Sequence, residues 1–139
     1  MFRWVDHTAE LELEIDAPTE EAVFADALAA LGELLTSEPQ RGPEESPARP
    51  PEARRQIAVE AEDRPALLAA WMEELVFLAE TDGFEPESVE TLELGPGSAQ
   101  ATVGGRLGQP PPLVKAITYH GLSFAACGDG YRATVVLDV

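Results

Sequence analysis

Asparagine is absent from this chain of 139 residues, and lysine and cysteine occur once each, as Lys115 and Cys127. A single cysteine rules out an internal disulfide framework and argues against a cysteine-based zinc site. No apolar run approaches the ~20 residues of a membrane-spanning helix. The opening Met1-Phe2-Arg3-Trp4-Val5-Asp6 has no signal-peptide core either, so the cytoplasm is the expected compartment. Positive charge is also scarce: nine Lys and Arg stand against 26 Asp and Glu, a formal net charge of −17. Such a field repels nucleic-acid phosphates and anionic membranes, and it favours basic proteins or metal cations. Neither independent nucleic-acid binding nor membrane binding is expected.

What is present suffices for one core. Hydrophobic residues make up 45% of the chain, ordinary for a folded protein, and the length suits a single domain over residues 1–139. Residues 10–16 alternate strictly, placing Leu11, Leu13 and Ile15 on one face of a strand and the carboxylates on the other. After Ala17-Pro18, Thr19 can cap a helix whose stripe of Phe24, Leu28, Leu31 and Leu35 runs to residue 36. Residues 37–53 hold five of the twelve prolines and read as an exposed loop. A strand over 54–61 follows. Asp63 then caps a second helix, with Pro65 in its first turn and Leu67, Leu68, Trp71, Leu75 and Leu78 as its stripe, ending at Asp82-Gly83. Strands are expected at 87–94, 99–107, about 114–126 and 131–139, with turns at 95–97, 104–105, 108–112 and Gly128-Asp129-Gly130. This order predicts an α+β, two-layer fold: a mixed, mostly antiparallel β-sheet packed with two main helices. The two strand–helix–strand halves hint at an internal duplication.

The scarce residues gather in two segments. His7 lies in Asp6-His7-Thr8-Ala9-Glu10, and Lys115 and His120 bracket Val114-Lys115-Ala116-Ile117-Thr118-Tyr119-His120. The strand ending in Asp138-Val139 would set the α-carboxylate of Val139 beside the Asp138 side chain. If strand 10–16 lies alongside, Glu10 adds a third carboxylate. Three such oxygens suit a hard cation such as Ca²⁺ or Mg²⁺. The same residues also read as solvated strand-face carboxylates, Lys115 as a structural salt-bridge partner, and His7 and His120 as hydrogen-bonded structural histidines.

These segments resemble the archease family. The matches are Asp6-His7-Thr8-Ala9-Glu10, Thr19-Glu20-Glu21-Ala22-Val23-Phe24, Trp71-Met72-Glu73-Glu74-Leu75-Val76-Phe77, Val114 to His120, and the terminal Val136-Leu137-Asp138-Val139. They occur in family order along nearly the whole chain. The resemblance implies a protein cofactor rather than an enzyme: an activator of RtcB-type RNA ligase that promotes ligase guanylylation and multiple turnover in tRNA splicing or RNA repair. It also implies a divalent-cation site (Ca²⁺, or Mg²⁺/Mn²⁺) and no organic cofactor. By position the metal ligands would be Glu10, Asp138 and Val139, with Lys115, His7 and His120 available for the partner or for activation. Glu10 stands where the family usually has Asp. Two other readings compete. One is a general chaperone or adaptor for nucleic-acid-processing enzymes acting without metal. The other is a small metal-dependent hydrolase, which would need an activated nucleophile that no motif supplies.

Overall fold

The computed structural model describes residues 1–35 and 51–139. The proline-rich loop expected over 37–53 therefore lies outside the described residues up to position 50. Seven strands and two helices follow in order: β1 (Phe2–His7), β2 (Glu10–Ala17), α1 (Glu20–Leu35), β3 (Ala53–Glu60), α2 (Arg64–Asp82), β4 (Phe84–Leu94), β5 (Ser98–Leu107), β6 (Ala116–Cys127) and β7 (Gly130–Asp138). The α+β class holds. The strands divide between two sheets, β1-β2-β7-β6 and β3-β5-β4, and every pairing is antiparallel.

The topology sharpens the hint of duplication. The unit β3-α2-β4-β5 is a strand, a helix and a hairpin whose last strand returns to the centre, giving the order β3-β5-β4. The unit β2-α1-β6-β7 has the same plan, giving β2-β7-β6. The first unit is inserted between the helix and the hairpin of the second, and β1 is added at that outer sheet's edge. Each helix packs most extensively on an edge strand of the opposite unit, α1 on β4 and α2 on β6. The two units thus share one core.

The helices form where the sequence places them. The Thr19 hydroxyl accepts from Ala22 N–H at 3.1 Å, and Asp63 Oδ1 accepts from Ala66 N–H at 2.9 Å, so each cap satisfies a donor that the first turn leaves free. Gly83 ends α2 in the left-handed conformation, φ 67°, with its N–H returned to Ala79 and Leu78 carbonyls. Between the helices, Phe24 and Trp71 meet edge to face at 5.6 Å. The Trp71 indole N–H donates to Phe24 O at 3.0 Å, so a large ring is buried without an orphaned donor.

Three sequence expectations are corrected. Residues 2–7 form a strand that was not anticipated, in which Phe2 and Trp4 pair with Ile15 and Leu13. The turn expected at Gly104-Gly105 is instead the interior of β5. Glycine is needed there for close approach rather than for turning, since a Cβ on Gly105 would lie 2.1 Å from Glu85 O. The strand expected over 87–94 begins three residues earlier, at Phe84.

Candidate functional site

The outer face of the four-stranded sheet is set by β2's alternation. Leu13, Ile15 and Ala17 turn into the core, so Glu10, Glu12, Glu14 and Asp16 turn outward. Their charges are compensated progressively along the strand. At the far end Arg132 donates to Asp16 at 2.8 Å. Next, Arg3 grips Glu14. Hydrogen bonding to Arg3 holds the Glu14 carboxyl below its ordinary value, and the same bond raises the Arg3 guanidinium. Then His7 Nε2 lies 3.4 Å from Glu12 Oε1.

At the near end the compensation stops. Glu10 pairs directly with Asp138 across β2 and β7, with His7 opposite Glu10 on β1 and Ala116 opposite Asp138 on β6. Among the described residues, neither Glu10 nor Asp138 has an ion-pair partner. Two like charges facing each other across a sheet are destabilising, and no ion pair among the described residues offsets them.

Two backbone hydrogen bonds build this corner. Val139 N–H donates to Ala9 O at 3.1 Å, and Lys115 N–H donates to Asp138 O at 2.8 Å. The first depends on the Thr8-Ala9 turn, where Ala9 adopts φ 61°, the one left-handed non-glycine among the described residues. That conformation costs an L-residue roughly 1–2 kcal/mol and aims the Ala9 carbonyl at the terminal strand. Sequence reading missed Ala9 because it missed β1; the alternation of Phe2 and Trp4 before a two-residue turn was the available signal.

Of the six residues singled out from sequence, five meet here: Glu10, Asp138, Val139, the Lys115 backbone and His7. His120 does not. It sits where β6 loses register with β7, between Thr118 and Ser123, and its N–H donates to the Thr118 hydroxyl at 3.1 Å. Lys115 is exposed. Among the described residues every arginine has an ion pair and Lys115 has none.

In kind, the corner's oxygens fit a hard divalent cation. In number, the side chains fall short: no three Asp, Glu, His or Cys among the described residues gather as a metal-holding group. A cation held here would need the Val139 α-carboxylate, water or a partner's groups to complete its shell. Among the described residues no helix is long and apolar enough to cross a membrane.

Comparison with known proteins covers the whole of this architecture. Residues 2–139 match the family described as Archease protein family (MTH1598/TM1083). The archease of Archaeoglobus fulgidus is 30% identical over 145 residues, covering 99% of this chain and 98% of that protein. The archease of Methanosarcina barkeri is 28% identical over 149 residues, covering 99% and 95%. Two solved structures share the fold. Protein 1598 of Methanobacterium thermoautotrophicum superposes with a TM-score of 0.75 at 24% identity, covering 99% of this chain and 98% of that one. An archease described as a possible chaperone, from Thermotoga maritima, gives 0.62 at 19% identity, covering 100% and 98%.

Proposed function

The chain belongs to the archease family, and from that premise we propose that it is a protein activator of an RtcB-type RNA ligase, promoting guanylylation of the ligase and its multiple turnover in tRNA splicing or RNA repair. It is not itself the catalyst. The observation that carries this reading is the opposed, uncompensated pair Glu10 and Asp138. The neighbouring carboxylates on the same face are matched by Arg3, Arg132 or His7, so the corner's open charge is a local exception. A cation held between two opposed carboxylates would relieve their repulsion.

The residues that would hold a divalent cation are Glu10, Asp138 and the α-carboxylate of Val139. A bound cation would supply the positive charge that the pair lacks and a link to anionic groups of the guanylylation reaction. Glu10 reaches one methylene further than the aspartate usual in the family, so it keeps the charge and would present it with a different geometry. Lys115, just before β6, has no ion pair among the described residues and would meet a nucleotide phosphate or a ligase carboxylate. His7 orients Glu12, one pair along the same face.

The test is ligase guanylylation with catalytic amounts of this protein. Wild type should raise the guanylylated fraction over several turnovers, and Asp138→Ala should lose that effect while keeping its circular dichroism spectrum. Normal activation by Asp138→Ala would remove the terminal carboxylates from the mechanism. A metal-free adaptor is the second reading, supported by the incomplete side-chain donor set and by the description of the Thermotoga maritima relative as a possible chaperone. It predicts activation that is insensitive to chelators and to substitution of Asp138.

A further inference from the structure

The geometry points to a second contact with the same partner: a groove between α2 and the strap 108–115 that receives a basic segment of the ligase carrying an apolar anchor. This inference rests on the activator reading and names the docking surface that serves it.

The groove encloses about 370 Å³ and is lined by Leu35, Val76, Ala79, Glu80, the Pro110-Pro111-Pro112 run and Val114. It is built, not incidental. Gly108 N–H donates to Gly83 O at 2.9 Å, and a Cβ on Gly83 would come within 2.6 Å of Gly108 O. Two glycines back to back thus start the strap hard against the helix cap. Three prolines then hold it extended, so an incoming segment meets a preformed wall and little ordering entropy is lost on docking. On the same helix and the same strap, Phe77 and Leu113 are 54% and 48% exposed.

Charge decides the occupant. Among the described residues the one charged side chain lining the groove is Glu80, and Glu73 lies two turns back on the same helix, accepting from the Tyr119 hydroxyl at 3.2 Å. No cation among the described residues lines the groove. An acidic peptide or a nucleic acid is repelled, and so is a second copy of a chain with net charge −17. A segment with Lys or Arg beside a Leu- or Phe-class side chain satisfies both the apolar wall and its acidic rim. The strap also ties the groove to the acidic corner, because its last residue, Lys115, donates its N–H to Asp138 O. A partner seated in the groove is thereby held beside Glu10 and Asp138.

The experiment compares Glu80→Arg with Glu93→Arg, an identical charge change on the three-stranded sheet, in ligase guanylylation and in direct ligase binding followed by fluorescence anisotropy. Glu80→Arg should raise both the half-maximal activating concentration and the Kd about tenfold, and Glu93→Arg by less than about twofold. The rate at saturation should be unchanged in both, unlike that of Asp138→Ala. Equal effects of the two reversals would overturn the groove and leave activation standing, with the net field alone responsible. Wild type that binds the ligase without activating it would sink the activator reading, and the Kd ratio would still decide the groove. Absence of binding, or a wild-type dimer in sedimentation that Glu80→Arg dissociates, would overturn the groove in favour of no partner or of a second copy.

Discussion

The two strand–helix–hairpin units share a plan and differ in how they handle charge. On the inserted three-stranded unit, carboxylates meet arginines: Arg54 with Glu90 at 2.8 Å, Arg55 with Asp82 at 3.2 Å, and Arg106 with Glu87 at 3.0 Å. The outer unit does the same at one end and abandons it at the other, where Glu10 faces Asp138. Among the described residues the inserted unit sets no two carboxylates opposite each other across paired strands, so the opposed pair is not a requirement of the plan. The comparison separates what the architecture needs from what one copy of it has been given in addition.

The largest effects should be the same in both units, because they share a core. Phe84→Ala in the inserted unit should cost about 3–5 kcal/mol and Leu137→Ala in the outer one about 2–5 kcal/mol, read by urea unfolding. A loss confined to one unit's signal would mean that the units unfold independently. Gly105→Ala comes next. Its new methyl would collide with Glu85 O, a backbone atom that cannot swing aside, so a cost of about 2 kcal/mol is expected. A neutral result would show that β4 and β5 can separate at the bulge near Pro86.

Ala9→Gly should act in the opposite direction. Relief of the left-handed backbone at φ 61° outweighs the added freedom of the unfolded chain, a gain of about 0.5–1 kcal/mol in thermal melts. The smallest effect discriminates best, because its sign differs between the units. Glu10→Gln removes a repulsion and should stabilise by about 0.5 kcal/mol at low salt. Glu90→Gln removes an attraction and should destabilise by a similar amount, about 0.5 kcal/mol. Both differences should fade as salt is added. Matching signs would erase the distinction between the units.

Much of this was legible from residue order. The alternation at 10–16 placed β2 and its outward acids, Thr19 and Asp63 announced both helix starts, and the abrupt Asp138-Val139 strand directed attention to the corner. The hidden features depend on partners distant in sequence. Gly104-Gly105 looks like a turn until Glu85 is known to pass alongside. β1 is an edge strand of six residues, too short for its pattern to stand out. That His120 falls in a register break of β6 rather than at the corner is encoded by no local pattern. The division into two sheets is likewise invisible locally, since it depends on β3 choosing β5 over β2. The compensation gradient along β2 needed every cross-strand neighbour in place before the unpaired end could be recognised.

The most direct measurement is a calorimetric titration with Ca²⁺ of wild type, Glu10→Gln, Asp138→Asn and Glu90→Gln. One site should appear in wild type and in Glu90→Gln, and it should weaken by at least about tenfold in Glu10→Gln and Asp138→Asn. A wild-type protein that takes up no cation, or corner variants that bind as wild type does, would contradict the claim that the open pair is a cation site.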